Sequence, residues 1–230
     1  MLIDYSWLYD TVARRFDSTA ALEASLPLPL SPQALRAQGD DLYLSAMTRR
    51  VFQAGMQHSV VDGKWPAFEA AFAGFDPQAL ARCSVQDMEA HLANSAIIRD
   101  RAKLLTIPKN AQFILDIAQE TGQCFGAFLA DWPATDTIGL WQVLARRGAR
   151  LGGRSAAGFL RLAGKDSFLL TSHVVERLIL AGVVERTPTS QRDLQRVQAA
   201  FNALQERSGR PLCQLSALLA LSISPQGQAL

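Results

Sequence analysis

The sequence predicts an all-α fold, and two features of its pattern carry that prediction. Apolar residues recur at helical spacing through most of the 230 residues, as in the series Leu194, Val197, Phe201 and Leu204. No segment shows the alternation of polar and apolar residues that is typical of a strand, and no unit of about 20–50 residues repeats. With 49% hydrophobic and 19% charged residues, the chain is globular and can form one large domain or two small ones.

The helices are predicted in chain order from this spacing and from the signals at their ends. Prolines break the segment 26–32, which should therefore be a linker or an extended strap. Ser84 and Asp87 have the spacing of a capping box at a helix start. A long helix should be bent or interrupted at Pro108, and the segment 121–137 should be looser. The predicted helical segments are 4–16, 40–56, 65–75, a short one from 77, 84–92, 97–118, 171–181, 190–207 and a last one from 211.

The segment 144–165 is predicted to form a helix end, a tight turn around Gly152 and Gly153, and the start of a second helix. It contains no acidic residue and six basic ones, namely Arg146, Arg147, Arg150, Arg154, Arg161 and Lys165. Glycines leave the N–H groups of such a turn open to a bulky partner, and the following helix N-terminus favours a phosphate. The segment is equally consistent with a helix–hairpin–helix that grips one DNA strand and with an ordinary hairpin that has a solvated basic face.

The charge and the cysteine content indicate the cellular compartment in which the protein is expected. The net charge is only +2, so the basic cluster is a local feature. No apolar run approaches the roughly 18 residues of a membrane span, and the N-terminus does not resemble a signal peptide. Cys83, Cys124 and Cys213 are too widely spaced for a disulfide framework or a CxxC metal pattern. We therefore expect a cytoplasmic protein that binds no membrane.

A series of short motifs runs through residues 40–181: QAGM at 53–56, KWPAFEAAF at 64–72, FDP at 75–77, DMEAHL at 87–92, IIRDR at 97–101 with Lys103, and Asn110 with Ala111. In this order they resemble the DNA-3-methyladenine glycosylase I family of the helix–hairpin–helix DNA glycosylase superfamily. The basic hairpin falls where that family places its DNA-gripping motif. LTSHVVER at 170–177 resembles a stretch of the wider superfamily. The resemblance implies two helical lobes with a cleft, in which DNA is bent and a damaged nucleotide is flipped into a pocket.

The resemblance also implies a function, a partner and a set of contact residues. The protein should be a monomer that binds double-stranded DNA and hydrolyses the N-glycosidic bond of a damaged base without a cofactor. The alternative is a non-enzymatic relative that keeps the hairpin and binds DNA. A glycosylase-like domain should cover residues 40–230, after an N-terminal extension at 1–39. The expected DNA-contact residues are Arg147, Gly148, Arg150, Gly152, Gly153, Arg154, Ser155 and His173.

The base pocket is where the sequence departs from the family, and its candidates are Arg50, Gln53, His58 and Thr171. The family's base-binding glutamate is replaced by Arg50, with Arg49 before it, and a cation there should repel a positively charged base. His58 stands where the family has a stacking tryptophan, and Thr171 where the superfamily has a catalytic aspartate. The 3-methyladenine family also works without that aspartate, because a cationic base is already a good leaving group. No catalytic residue can therefore be assigned from the sequence.

Two further chemistries are not expected. Lyases of the superfamily place an attacking lysine just after the hairpin glycines, where this chain has Ser155. The family's structural zinc uses cysteine and histidine pairs near both termini, but residues 1–20 contain neither type and Cys213 has no nearby histidine. We expect no metal. Two histidines have two interpretations each: His58 contacts the base or lies on the surface, and His173 reaches a phosphate or sugar or is structural. His91 is interpreted as a surface residue.

Overall fold

The structure, a computed structural model, describes residues 3–223, and within that range it contains helices and no strand. The predicted all-α fold is confirmed. None of the described helices is both long and apolar enough to cross a membrane. In chain order the α-helices are α1 (Tyr5–Ala13), α2 (Thr19–Ser25), α3 (Pro32–Ala37), α4 (Asp40–Gln53), α5 (His58–Gly63), α6 (Trp65–Ala71), α7 (Pro77–Leu80), α8 (Val85–Ala90), α9 (Arg101–Leu104), α10 (Ile107–Thr121), α11 (Phe125–Asp131), α12 (Thr137–Arg147), α13 (Arg154–Leu162), α14 (Ser172–Leu180), α15 (Gln191–Ser208) and α16 (Leu212–Leu221).

The chain forms two compact units. The terminal unit consists of the described residues among 1–29, 133–139 and 166–230, and the central unit consists of 30–132 and 140–165. The N-terminal helices α1 and α2 therefore belong to the same unit as α14, α15 and α16. The sequence instead predicted an N-terminal extension at 1–39 and a glycosylase-like domain at 40–230. This assignment of function to residues 40–230 stays a prediction.

The terminal unit is built around α16. Residues 212–220 of this helix are all buried, and α1, α14 and α15 pack against it. A helix that is apolar on every side is stable only when it is surrounded in this way. The carboxylate of Asp166 accepts hydrogen bonds from the N–H groups of Leu212 and Cys213 at 3.0 and 2.9 Å, so a negative charge stabilises the positive end of α16.

The central unit is built around α4, which contacts α10, α11 and α13. Tyr43, Leu44 and Phe52 on α4 are fully buried, and the ring of Phe52 meets that of Phe68 edge to face at 4.7 Å between centroids. Buried aromatic pairs in this geometry stabilise a core beyond the area they bury. The packing fixes the C-terminal end of α4 against α13, and this unit also contains α12 from Leu140 onward.

Several predicted helix boundaries need correction. The helix predicted for 97–118 begins at Arg101, after the N-cap Asp100. Its predicted interruption near Pro108 is present, since the segment forms two helices, α9 and α10, and Pro108 lies in the first turn of the second. A proline is tolerated in a first turn, where its missing N–H would have no partner in any case. The helix predicted for 40–56 ends at Gln53, before Gly55 with φ +77°. The predicted helix 65–75 ends at Ala71, and a 3-10 turn follows.

The prediction of a looser segment at 121–137 was wrong, because this segment contains α11 and a 3-10 turn at Ala134–Asp136. Phe125 and Leu129 of α11 are fully buried. Gly126 looks like a loop residue in the sequence, but a Cβ there would lie 2.2 Å from the carbonyl oxygen of Leu35 in α3. The glycine therefore permits close packing of two helices. The capping box of Ser84 and Asp87 is confirmed, and 26–31 contains no helix, as expected for a strap.

Candidate nucleic-acid interface and base pocket

The basic hairpin consists of α12, a turn at residues 148–153, and α13. Two of its glycines are required for different reasons. A Cβ on Gly148 would lie 2.8 Å from the carbonyl oxygen of Leu144 and 2.7 Å from a methyl carbon of Leu151, so there is no space for one. Gly153 has φ +55° and ψ −130°, a backbone conformation that is open almost only to glycine. The predicted turn around the glycines is present in the structure.

The turn leaves donors without acceptors. The N–H groups of Gly152, Gly153 and Arg154 donate to no acceptor within residues 3–223, and all three residues are exposed. Ser155 differs, because its N–H bonds the carbonyl of Gly152 at 3.1 Å. The unpaired amides lie at the N-terminus of α13, where the helix dipole adds partial positive charge. This arrangement can bind an anion.

The arginines of the hairpin divide into paired and unpaired ones. Arg147 forms two hydrogen bonds to the carboxylate of Glu120, at 2.7 and 2.8 Å, and its guanidinium lies over the ring of Phe113 at 5.2 Å. Arg150 and Arg154 are exposed, and neither side chain has a hydrogen bond or ion pair in the described chain. Of the predicted DNA-contact arginines, Arg150 and Arg154 therefore have free guanidinium groups, whereas Arg147 is already held by Glu120.

Arg50 lies against α13. Its Nη2 donates to the carbonyl oxygen of Arg154 at 3.4 Å, while its Nε is buried with no hydrogen-bond partner among the described residues. A Cβ on Gly158 would lie only 2.4 Å from that Nε, so the side chain runs closely over the helix backbone. Burial, and then the charge of Arg154, lower the pKa of Arg50. No carboxylate of the described chain pairs with it, so its charge is not compensated locally.

Gln53 belongs to a polar cluster at the C-terminal end of α4. Its Nε2 donates to Oδ1 of Asp62 at 3.1 Å, and the same oxygen accepts from Nε of Arg49 at 2.8 Å. The guanidinium of Arg49 lies 5.6 Å from the ring centroid of Trp65. His58, the first residue of α5, is exposed. Sequence reasoning missed Asp62, because nothing in its local sequence indicates that the chain reversal after α4 brings it to Gln53.

The pocket candidate Thr171 and the predicted DNA-contact residue His173 lie in the terminal unit, whereas the other candidates lie in the central unit. Thr171 is the N-cap of α14, and its hydroxyl oxygen accepts a hydrogen bond from the N–H of Val174 at 3.3 Å. His173 is half-buried in the first turn of that helix. The hydroxyl of Thr171 thus has a structural role, and its role in a base pocket stays a prediction.

The IIRDRAK segment has a structural part that the sequence did not indicate. Lys103 is buried, and its Nζ donates to the carbonyl oxygens of Phe52 and Ala54 at 3.1 and 2.8 Å, which caps the C-terminal end of α4. Burial lowers its pKa, and the charge of Arg150 acts in the same direction. Arg101 pairs with Glu89, and the carboxylate of Asp100 accepts a hydrogen bond from the N–H of Lys103 at 3.1 Å. His91, predicted at the surface, is half-buried with its ring 4.4 Å from that of Phe72.

One further contact reaches the hairpin from α10. Asn110 is fully buried; its Oδ1 accepts from the N–H of Ala149 at 2.7 Å, and its Nδ2 donates to the carbonyl oxygen of Ala149 at 3.3 Å. The sequence placed Asn110 in a motif but gave it no role. Within the described range, no group of three or more histidine, cysteine, aspartate or glutamate side chains could hold a metal ion.

The fold of this chain is that of the helix–hairpin–helix DNA glycosylases. An 8-oxoguanine DNA glycosylase of Methanocaldococcus jannaschii superimposes with a TM-score of 0.60 at 13% identity, covering 97% of this chain and 96% of that chain. The 8-oxoguanine DNA glycosylase of Thermotoga maritima gives a TM-score of 0.50 at 13% identity, covering 97% and 99%. At these identities the two likenesses show the fold alone.

Within that fold class, residues 36–142 match the model of the methyladenine glycosylase family. A DNA-3-methyladenine glycosylase of Haemophilus influenzae is 38% identical over 77 residues, which are 34% of this chain and 41% of that protein. The match thus spans less than half the length of this curated relative. The predicted resemblance to the DNA-3-methyladenine glycosylase family is confirmed over the matched segment.

Proposed function

We propose that this protein is a base-excision DNA glycosylase, which flips a damaged nucleotide out of double-stranded DNA and hydrolyses its N-glycosidic bond. The match of residues 36–142 to the methyladenine glycosylase family carries the proposal. That segment contains all of α4 and α10, which bear Arg50, Gln53 and Asn110. A cytoplasmic location and a monomeric state are expected for such a protein, and both stay predictions.

The hairpin supports DNA as the partner. The exposed amides of residues 152–154 and the guanidinium groups of Arg150 and Arg154 have no partner among residues 3–223. They are suited to the oxygens of one phosphate and its neighbours. Such contacts are made to the backbone, so they hold DNA of any sequence and weaken as salt rises. The specificity of the enzyme must therefore come from the base pocket.

Arg50 supports a neutral lesion as the substrate. Its guanidinium is half-buried, next to a second cation at Arg154, and has no carboxylate partner in the described chain. An uncompensated positive charge disfavours a base that is itself cationic. If the leaving base is neutral, it develops negative charge as the bond breaks, and a nearby guanidinium stabilises that transition state more than the ground state. We propose Arg50 and His58 as the groups that contact the base.

An excision assay tests the function directly. Duplexes that each carry one alkylated, oxidised or deaminated base are incubated with the protein, and free base and abasic sites are measured under single-turnover conditions. We expect release of a neutral lesion and little release of 3-methyladenine. Robust release of 3-methyladenine contradicts the neutral preference but keeps the glycosylase. No release of any base, together with salt-sensitive DNA binding, supports the non-enzymatic alternative.

The role of Arg50 is tested by the Arg50→Ala variant. Loss of a group that stabilises charge in the transition state should slow excision by about tenfold or more, with DNA affinity almost unchanged. Arg101→Ala is the control, because it removes a surface arginine of the same unit that is paired with Glu89. Excision rates of Arg50→Ala equal to those of the parent, in a variant that keeps its melting temperature, contradict the role.

A further inference from the structure

Asn110 bonds the hairpin turn and not its own helix. Both polar atoms of its side chain, Oδ1 and Nδ2, go to the backbone of the single residue Ala149, at 2.7 and 3.3 Å. These are the hydrogen bonds of Ala149 in the described chain, so Asn110 supplies partners for both backbone groups of that residue. The side chain is fully buried and begins in the first turn of α10, a helix of 15 residues that packs against α4.

The residue next to this clamp has an unusual backbone. Arg150 has φ +59°, a left-handed conformation that a residue with a Cβ adopts only at a cost in free energy. Two residues later the chain reaches the exposed amides of 152–154. The dihedral angles between Ala149 and Gly153 therefore decide where the guanidinium of Arg150 and those amides point. A turn without an anchor at Ala149 would relax toward conformations in which Arg150 is not left-handed.

We infer that Asn110 is a positioning residue of the DNA-binding hairpin, which holds Ala149 so that Arg150 and the amides of 152–154 converge on one phosphate before DNA arrives. The inference rests on the proposed function, since it assigns Asn110 a part in binding DNA. Without this anchor the turn must be ordered during binding at a cost in conformational entropy, and the guanidinium of Arg150 can point away from the phosphate, so that one contact is lost. Asn110 itself touches no DNA in this arrangement.

The Asn110→Leu variant separates positioning from stability, because leucine keeps the branched shape of asparagine, with methyl groups in place of Oδ1 and Nδ2, and lacks both hydrogen bonds. Binding to a lesion-free duplex is measured from low to moderate salt for parent and variant. We expect an affinity about tenfold lower and a log–log salt slope that is shallower by about 0.9, the change for one lost phosphate contact. A side chain that serves only the stability of the fold would lower the melting temperature and leave the salt slope of the folded protein unchanged.

Asn202→Ala is the matched control, because Asn202 also donates a side-chain amide to a backbone carbonyl, that of Thr135 at 3.0 Å, but lies in the terminal unit. It should keep the parental slope. If Asn110→Leu does not fold, Asn110→Ser replaces it with the same expectation. A folded variant at position 110 with parental slope and affinity overturns the inference and leaves the proposed function standing. A parent that shows no salt-sensitive DNA binding overturns both.

Discussion

Arg210 in the terminal unit and three arginines at the hairpin, Arg150, Arg154 and Arg50, have opposite surroundings. Arg210 donates to both carboxylate oxygens of Glu23, at 2.9 and 2.6 Å, to the hydroxyl of Tyr5 and to the side-chain oxygen of Gln214 at 3.0 Å. Its guanidinium also lies 5.1 Å from the ring centroid of Tyr9. Arg150, Arg154 and Arg50 have no carboxylate partner in the part of the chain that is described.

This difference separates arginines that hold the fold together from arginines that remain available to a ligand. The pKa of Arg210 is raised, mainly by its hydrogen bonds to Glu23, so folding favours its charge. The pKa of Arg50 is lowered, mainly by burial, so folding tolerates its charge at a cost. A cation kept in an unfavourable position is typical of a functional site, where an incoming negative charge supplies the missing partner.

The largest effect is expected from breaking the hairpin with Gly153→Asp. This variant puts a Cβ on a backbone that requires glycine and a negative charge where a phosphate should bind, so duplex affinity at low salt should fall by about a hundredfold or more. Fluorescence anisotropy measures it. Gly182→Asp is the control, because Gly182 has φ +70° with open space around it and lies in the terminal unit. It adds the same strain and charge and should bind as the parent does.

Parental affinity in Gly153→Asp would mean that the hairpin is a structural turn only. An equal loss of affinity in both aspartate variants would trace the effect to net charge or to backbone strain. Either result would mean that Arg150 and Arg154, contrary to our proposal, do not serve DNA binding, and their difference from Arg210 would have no functional meaning.

A smaller effect is expected in the terminal unit from Glu23→Gln. The variant loses the charge of the pair with Arg210, and because the side chain of Glu23 is 42% exposed, solvent screens much of that interaction. We expect about 1 kcal/mol less unfolding free energy at neutral pH, or a melting temperature lower by about 2–4 °C. DNA affinity should not change. Chemical denaturation and the binding assay above measure both quantities.

The pH dependence of this difference has a definite sign. The hydrogen bond from Arg210, and then that from Tyr9, lower the pKa of Glu23 below its ordinary value of 4.5. A carboxyl group with a depressed pKa stabilises the folded state above its unfolded pKa, and the stabilisation is lost as the pH falls through the folded value. The gap in stability between parent and Glu23→Gln should therefore be constant near neutral pH and close below about pH 4. A gap that persists in acid would show that charge does not cause it.

The smallest effect is expected from metal removal. If pairs such as Arg210 with Glu23 hold the terminal unit, a chelator should leave the melting temperature unchanged, and the purified protein should contain no stoichiometric zinc. Elemental analysis and a thermal melt with and without EDTA measure both. One tightly held zinc per chain would mean that ligands outside the described residues stabilise the fold.

Much of the fold could be predicted because it depends on local patterns. The capping box at Ser84 and Asp87 and the helix from Ser190 are set by residues three or four positions apart, which the sequence shows directly. The helix α11 could not be predicted in this way. Its stability comes from burial of Phe125 and Leu129 and from close contact with α3, and a contact between distant segments has no signal in a single sequence.

The candidate site shows the same limit. The glycines and arginines of the hairpin were identified from their order in the sequence alone. In the described chain the amides of 152–154 and the side chains of Arg150 and Arg154 have no partner, which agrees with the DNA-binding interpretation. The partners of Arg147, Gln53 and Ala149 were not found, because Glu120, Asp62 and Asn110 reach them through tertiary packing. A sequence therefore indicates which residues can act, whereas the structure decides which of them are already bound to a neighbour.

The side chain of Arg50 passes so close to Gly158 that the residues at the two positions constrain each other. A methyl group at position 158 would lie 2.4 Å from Nε and 2.7 Å from Cδ of Arg50, so any larger residue there must displace the arginine side chain. A shorter side chain at position 50 creates no clash with position 158, because glycine has no side chain. A larger residue at position 158 would therefore redirect the guanidinium of Arg50, whereas a shorter side chain at position 50 would leave the backbone at Gly158 unchanged.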